Sequence, residues 1–113
     1  MQASLDRGIP EPVRRSLERL VEGLKGADAD AVVFLSGSFA KGDWFTDSDV
    51  DIVVVSKLFA KMDVGKRFSL VKRLAGPGSS IDLLAYTPEE FKQAVQRSMI
   101  LGDMLDHSLK LTS

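Results

Sequence analysis

Residues 31–55 read AVVFLSGSFAKGDWFTDSDVDIVVV and contain two short apolar runs separated by a polar segment. The runs, at 31–36 and 50–55, are rich in β-branched residues, which is typical of buried strands. Gly37-Ser38 follows the first run directly, and an acidic, turn-like stretch precedes the second. This order predicts a strand, a tight turn that opens a short helix, and a second strand.

The rest of the chain predicts helices around these strands. Apolar residues at helical spacing indicate a helix from Pro12 to about Gly26 and another over residues 59–75, with Gly65 as a weak point. Thr87-Pro88-Glu89-Glu90 combines an N-cap, a proline at the first helical position and the glutamate of a capping box. We predict a turn at 76–80, a strand at 81–86 and a helix that starts at the Thr-Pro-Glu-Glu segment. A short helix at 98–106 and a final edge strand at 108–112 are predicted to follow.

These elements predict an α/β (α+β) fold in which helices pack on a small mixed sheet of three to four strands. The 113 residues are expected to form a single domain, with residues 1–11 as a loose lead-in. The net charge of −1 gives no footprint for nucleic acid or an anionic membrane. The absence of cysteine excludes disulfides and thiol chemistry. No apolar run is long enough to span a bilayer or to form a signal core, so a cytoplasmic protein is expected.

Acidic residues stand at costly positions in two of the predicted strands. Asp49 and Asp51 are two residues apart, so on a strand both carboxylates face one way while Val50 faces the other. Asp82 interrupts the apolar strand Ile81-Asp-Leu-Leu-Ala. Each has an ordinary explanation, a solvated turn or an exposed edge, but a cation would offset the repulsion. Asp82 can converge with the pair if its strand lies beside residues 50–55.

The Gly37-Ser38 turn is the third candidate feature. A glycine after a buried strand lets the backbone approach a ligand closely, and the following N–H groups can bind phosphate oxygens, although a plain strand-to-helix turn would look the same. A P-loop is excluded because Asp43 and Trp44 occupy its Lys and Ser/Thr positions. A calcium loop is excluded because Ile52 stands where that loop needs glycine.

Together these features resemble the signature of the minimal nucleotidyltransferase domains in the DNA polymerase β superfamily. That pattern is Gly-Ser-x-Ala-Arg-Gly, a spacer, and Ser-Asp-x-Asp. The matching residues are Gly37-Ser38-Phe39-Ala40-Lys41-Gly42 and Asp47-Ser48-Asp49-Val50-Asp51, with Lys41 where arginine is common. The resemblance implies the polymerase β-like nucleotidyltransferase fold.

The resemblance also implies a role for each matching residue. Gly37 and Ser38 would hold the β- and γ-phosphates of a nucleoside triphosphate, and Lys41 would steady the triphosphate. Asp49 and Asp51 would bridge two Mg²⁺ ions. Asp82 would ligate the metal that activates the acceptor hydroxyl and help to take its proton.

The resulting expectation is a Mg²⁺-dependent nucleotidyltransferase that transfers AMP from ATP to a hydroxyl on a partner protein. Minimal domains of this kind resemble the antitoxin half of toxin–antitoxin pairs, whose partner is a small helical HEPN ribonuclease. Larger members of the superfamily add a helical domain for the second substrate, for which little sequence remains after Asp82. The alternatives are a non-catalytic antitoxin or regulatory module that acts by complex formation, and a drug-modifying transferase with a small-molecule acceptor. Homo-oligomers are also possible.

Four other groups are interpreted without a catalytic role. The single histidine, His107, is expected at the surface or in a structural role, and the Trp44-Phe45 pair is expected to contact the core or a partner. A cluster near the C-terminus is expected to pack, with a partner surface as the alternative. A basic helix face is expected to be solvated, with nucleic-acid binding as the alternative. The cluster near the C-terminus consists of Met99, Ile100, Leu101 and Met104. The basic helix face carries Lys66, Arg67, Lys72 and Arg73.

Overall fold

A computed structural model describes residues 8–45, 47–77 and 80–112. Within these ranges the chain contains helices and strands, and the strands form a single sheet. The helices are α1 (Glu11–Ala27), α2 (Gly37–Lys41), α3 (Val64–Ala75), α4 (Pro88–Arg97) and α5 (Met99–Asp106), and a 3-10 turn spans Lys57–Phe59. The strands are β1 (Val32–Ser36), β2 (Val50–Val55), β3 (Ile81–Tyr86) and β4 (Leu109–Lys110).

The four strands form one mixed sheet in the order β3-β2-β1-β4. Strand β1 is antiparallel to β2 and β4, while β2 and β3 run parallel because α3 crosses over between them. The predicted α+β architecture with a small mixed sheet is therefore confirmed.

Each face of the sheet is covered by a different pair of helices. On one face Val33, Ile52 and Val54 join the hydrophobic core with residues of α1 and α3. On the other face α4 packs through Phe91, whose ring centroid lies 6.0 Å from that of Phe34 and 5.9 Å from that of Tyr86. Residues at alternate positions of the strands therefore have separate surroundings.

Helix α1 differs slightly from its predicted ends. It begins at Glu11 with Pro10 as its N-cap, and it continues through Gly26 to Ala27. The Asp28 N–H donates to the Leu24 carbonyl, which completes the last turn beyond the glycine. Gly26 is therefore an interior residue of the helix.

Helix α3 starts later than the predicted residue 59. The Asp63 side chain accepts a hydrogen bond from the Lys66 N–H at 2.8 Å and so caps a helix that begins at Val64. Phe59 belongs instead to the preceding 3-10 turn and is fully buried. Gly65 lies in the first turn of the helix, where it causes no break.

Helix α4 begins where its sequence signal predicted. The predicted capping box is confirmed, since Glu90 N–H donates to Thr87 Oγ1 at 3.2 Å and Thr87 N–H donates to Glu90 Oε1 at 2.8 Å. Strand β4 covers only two of the five residues predicted for it. In the predicted turn over 76–80, positions 78 and 79 lie outside the described residues.

The predicted lead-in lies largely outside the described residues, which begin at Gly8. Its last part belongs to the folded structure, because Ile9 is buried in the core. Among the described residues, no helix combines the length and apolar character needed to cross a bilayer.

Candidate active site

The carboxylates of Asp51 and Asp82 meet on neighbouring strands. They are direct register partners in the parallel β2–β3 pair, so both side chains leave the same face of the sheet at the same level. Asp51 is half-buried and Asp82 is exposed, and the two carboxyl groups are close enough for Asp82 to affect the pKa of Asp51. The structure thus places Asp82 beside Asp51, one of the two acids with which it was predicted to converge.

The pairing makes ionisation of Asp51 unfavourable. Partial burial raises the pKa of Asp51, and the negative charge and hydrogen bond of Asp82 raise this pKa further, with a smaller contribution from Asp49. A carboxylate pair of this kind is electrostatically strained until a proton or a cation reaches it. The site therefore favours binding of a positive charge.

Asp49 occupies a different position from its two partners. It lies one residue before β2, is exposed, and is not among the residues that line the cleft around Asp51. Its carboxylate is close enough to affect the pKa of Asp51. The structure thus brings Asp51 and Asp82 together and leaves Asp49 at the periphery.

Gly37 is required by its contact with Asp51. A Cβ atom built on Gly37 would lie 2.0 Å from Asp51 Oδ2 and 2.9 Å from Asp51 Cγ, which are impossible distances for a non-bonded pair. Its φ of +67° also lies in the left-handed region that favours glycine. The glycine therefore allows the carboxylate to rest against the β1–α2 turn.

The other two residues of the predicted phosphate site lie in α2. Ser38 is partly exposed, and its carbonyl accepts hydrogen bonds from Gly42 N–H at 2.9 Å and Asp43 N–H at 3.1 Å, which ends the helix. Lys41 is exposed and lines the same cleft as Asp51. A positive side chain therefore lines the cleft that contains the acidic pair.

A cleft of about 640 Å³ opens over the carboxylates. Its floor is formed by the sheet and the start of α2, and its opposite wall is one side of α5. The floor includes Ser36, Gly37, Asp51, Ile52, Asp82 and Leu84, and the wall includes Ile100, Asp103, Met104 and His107. An acidic floor suits a cation, and a mixed apolar and polar wall suits a ligand with an apolar part.

His107 was expected at the surface or in a structural role, and it lies in the cleft wall. Its Nδ1 is 2.9 Å from the Asp103 carbonyl oxygen, which can only accept, so the Nδ1–H is the donor. In the neutral ring Nε2 is then left as an acceptor. The spacing of Ile100, Asp103, Met104 and His107 places them on one helix face, but the sequence does not say which neighbour that face meets.

The other residues interpreted without a catalytic role divide between core and surface. Trp44 packs against the core and stacks on Phe39 with 5.7 Å between ring centroids, whereas Phe45 is 75% exposed. In the C-terminal cluster Leu101 is buried, while Met99 is exposed. Arg67 contradicts the predicted solvated face, because its side chain is only 13% exposed.

The ion pair of Arg67 explains its burial. Its Nη1 and Nη2 donate to the two carboxylate oxygens of Glu90 at 2.6 and 3.2 Å, and Nη1 also donates to the Ala85 carbonyl at 3.1 Å. The guanidinium lowers the pKa of Glu90 to about 2, with help from the Thr87 N–H. Arg67 therefore connects α3, β3 and α4.

The described residues fit a divalent cation that takes part of its coordination from a ligand. Among them, no group of three or more His, Asp or Glu side chains could hold a metal ion by itself. Two facing carboxylates do match the usual mode of Mg²⁺, which binds one or two carboxylates and completes its shell with phosphate oxygens and water. Asp51 and Asp82 are the residues that would hold it.

Residues 14–68 match the family model described as the nucleotidyltransferase domain. The matched segment is just under half of the 113 residues; it contains Gly37, Asp49 and Asp51 and ends before Asp82. The match supports the nucleotidyltransferase superfamily. It likewise supports nucleotidyl transfer as the general activity, with a nucleoside triphosphate as substrate.

A solved structure from Sulfolobus solfataricus, provisionally described as a nucleotidyltransferase, has a similar fold. It aligns with a TM-score of 0.57 and 19% sequence identity over 97% of this chain and 86% of that one. At this identity the likeness concerns the fold alone. No curated protein matches the chain.

Proposed function

We propose that this protein is a Mg²⁺-dependent nucleotidyltransferase that moves AMP from ATP to a hydroxyl group of a partner protein. We further propose that the partner is a small helical protein of the HEPN type and that the two form a toxin–antitoxin pair. The observation that carries the enzymatic part is the Asp51–Asp82 carboxylate pair, which lies beside Gly37 on the floor of an open cleft.

In the proposed reaction an acceptor oxygen attacks the α-phosphorus of ATP and pyrophosphate departs. Bound Mg²⁺ would neutralise charge on the attacking and leaving oxygens. Asp51 is half-buried and held against Gly37, so its carboxylate is a fixed ligand. Asp82 is exposed on the same level and can receive the proton of the acceptor hydroxyl.

The triphosphate is assigned to the side of the cleft where α2 begins. Gly37 and Ser38 would contact the β- and γ-phosphates, and Lys41 would compensate their charge. Lys41 lines the cleft together with Asp51, which supports this orientation.

A protein acceptor is supported by the apolar rim of the cleft. Ile100 lines the cleft and is 81% exposed, and the adjacent Met99 is 92% exposed. Large apolar side chains at the mouth of a polar site suit a macromolecular partner better than a small polar acceptor.

The test is transfer of label from α-labelled ATP in MgCl₂ to the helical protein encoded by the neighbouring reading frame. Mass spectrometry should locate AMP on a hydroxyl side chain of that protein. Asp51→Asn should reduce transfer by about 10³-fold, comparable to the upper range for loss of one preorganised group that stabilises charge in a transition state. Asp106→Asn removes an exposed acid outside the cleft and should leave the rate unchanged. Absence of transfer by the unmodified protein would contradict the proposal.

One observation favours a non-catalytic binding module as the second candidate. Asp49 lies outside the cleft, and the described residues contain no cluster of three metal-ligating side chains. On this alternative, a double Asp49→Asn, Asp51→Asn variant would still neutralise the partner by forming a complex, and no transfer would be detected with either protein. Loss of neutralisation by the double variant, with its complex intact, would exclude the alternative.

A further inference from the structure

The C-terminal end of α5 lies at the same level of the sheet as the candidate active site. Strand β4 pairs antiparallel with β1, and Leu109 is the register partner of Leu35. Because the two strands run in opposite directions, the residues before Leu109 lie beside the residues after Leu35, where β1 ends and α2 begins. This register places His107 level with the Gly37 turn.

A contact between α5 and β1 holds this end of the helix over the site. Ser36 is the last residue of β1 and the register partner of Asp51, and its hydroxyl donates to Met104 Sδ at 3.5 Å. The row of Asp82, Asp51 and Ser36 across the sheet therefore continues toward His107. Two strand spacings of about 4.8 Å each separate β4 from β2. His107 thus lies on the far side of Ser36 from the acidic pair.

The imidazole ring of His107 has one nitrogen already engaged. Its Nδ1 lies 2.9 Å from the Asp103 carbonyl oxygen and 3.9 Å from Asp103 Oδ1. Because His107 lines the cleft, Nε2 is the ring nitrogen that remains for a ligand there. When the ring gains a proton, Nδ1–H keeps its acceptor and Nε2–H becomes a second donor. A charged donor of this kind suits a phosphate oxygen.

The cleft offers few positive groups to a triphosphate. Among the described residues that line it, Lys41 of α2 is the one lysine or arginine. The acids that line it come from three elements: Asp51 of β2, Asp82 of β3 and Asp103 of α5. A cation held by Asp51 and Asp82 would compensate their charge and part of that of the phosphates. Lys41 and a protonated His107 would supply positive charge to the remaining phosphate oxygens.

We propose that His107 binds the pyrophosphate part of the nucleoside triphosphate through Nε2, with its ring positioned by the Asp103 carbonyl at Nδ1. The presence of the triphosphate in the cleft rests on the proposed function. Its β- and γ-phosphates would lie between the Gly37 turn and the end of α5. The AMP part would extend toward the acidic pair and would not reach His107. His107 therefore discriminates ATP from AMP.

The test compares binding of ATP and of AMP, measured by calorimetry in MgCl₂ at pH 6. His107→Gln removes the charge at a side chain that is 64% exposed, so the core is left intact. It should weaken ATP binding about tenfold, the low end for a hydrogen bond to a charged group, and leave AMP binding unchanged. Lys110→Gln is the matched control, because it removes a positive charge from an exposed residue of β4 outside the cleft; it should bind ATP like the unmodified chain. An unchanged ATP affinity in His107→Gln, or an equal loss for ATP and AMP, would overturn the proposal.

A second variant, His107→Arg, replaces the titrating ring with a permanent charge. ATP should bind the unmodified chain more tightly at pH 6 than at pH 8, since a histidine side chain loses its proton across this range. His107→Arg should bind ATP tightly at both values. The other charged groups that line the cleft are unchanged by the substitution, so the difference between the two proteins reports the ring; they are Lys41, Asp51, Asp82 and Asp103. The same pH dependence in the unmodified chain, His107→Gln and His107→Arg would contradict the proposal.

The binding measurements separate this proposal from the proposed function. ATP affinity that depends on His107, in a chain that transfers no label to an acceptor, would support the role of His107 and contradict nucleotidyl transfer. Transfer of label by the unmodified chain, together with an unchanged ATP affinity in His107→Gln, would give the opposite result.

Discussion

Asp28 and Asp51 are both withdrawn from water, yet their pKa values shift in opposite directions. Asp28 is 3% exposed, and its burial alone would raise the pKa. Hydrogen bonds from the Ser56 hydroxyl at 2.8 Å, the Asp30 N–H at 3.1 Å and the Lys57 N–H at 3.2 Å outweigh that effect and lower it. The carboxylate of Asp28 is therefore a structural acceptor.

Asp51 has the reverse surroundings. Burial raises its pKa, and its neighbour on β3 is a second carboxylate instead of a set of donors. The comparison teaches that burial by itself does not tell a structural acid from a functional one. The sign of the pKa shift depends on whether donors or acceptors face the group. An acid held beside another acid is a candidate for binding a cation.

The strongest way to test the structural side of this comparison is Asp28→Ala. The substitution leaves the Ser56 hydroxyl and two backbone N–H groups buried without their acceptor, so the free energy of unfolding should fall by about 3 kcal/mol. Urea denaturation at pH 7 measures this change. Asp30→Ala is the control, since Asp30 is exposed and contributes only its backbone N–H; it should change stability by less than about 0.5 kcal/mol.

The next largest effect is expected at Gly37, which supports the functional carboxylate. Gly37→Ala should cost more than about 2 kcal/mol, because it combines left-handed backbone strain with a clash against Asp51. Gly42→Ala is matched for the strain alone: its φ is +85°, and a Cβ there meets nothing within 4 Å. It should cost about 1 kcal/mol. Thermal unfolding of both variants separates the clash from the strain, and equal losses would show that the Asp51 contact costs nothing.

Asp82→Asn tests whether the acid facing Asp51 destabilises the protein. The substitution should stabilise the metal-free protein. A raised pKa means that folded Asp51 holds its proton to a higher pH than unfolded Asp51, so stability is lost as pH rises through that window and stays lower above it. Removing the Asp82 charge should lower the pKa of Asp51 and recover up to about 1 kcal/mol at pH 7. Carboxyl NMR titration and denaturation measure the two quantities. An unchanged pKa would indicate that Asp82 does not contribute to the shift.

The smallest effect concerns Glu90, a surface acid surrounded by donors. Its pKa of about 2 lies below the ordinary value, so its contribution is present above that ordinary value and is lost as pH falls toward 2. Because the Glu90 side chain is 46% exposed, solvent screens its interaction with Arg67. The free energy of unfolding should therefore fall by less than about 1 kcal/mol in Glu90→Gln at pH 7. The variant should also flatten the pH dependence of stability between about pH 5 and 2. A curve parallel to that of the unmodified protein would count against the pairing with Arg67.

Local patterns predicted most of the secondary structure correctly. Strand β2 was delimited by its apolar run, and α4 by the capping box at Thr87, because both signals depend on neighbours in the chain. The start of α3 was predicted too early, since the periodic apolar positions continue into the 3-10 turn at Phe59. The Asp63 cap, not the periodicity, decides where that helix begins.

The candidate site, like the secondary structure, was predictable from the sequence only in part. The alternation of side chains along strands is a local rule, so the sequence alone identified Asp51 and Asp82 as acids on strands and Gly37 as part of a turn after a buried strand. That this turn requires glycine followed only from the structure. Their roles in catalysis remain predictions. The direction of the α5 face depends on how that helix packs over the sheet, and it was this packing that brought His107 into the cleft.

The order of residues by itself determined which segments become strands and helices, because hydrogen bonding and apolar spacing act over a few neighbouring positions. Only the tertiary structure decided that Asp82 stands level with Asp51, that Asp49 is not among the residues lining the cleft and that β3 is an outer strand of the sheet. Those outcomes depend on which strands lie side by side and in what register. Contacts between residues far apart in the chain select that arrangement, and no local pattern contains it.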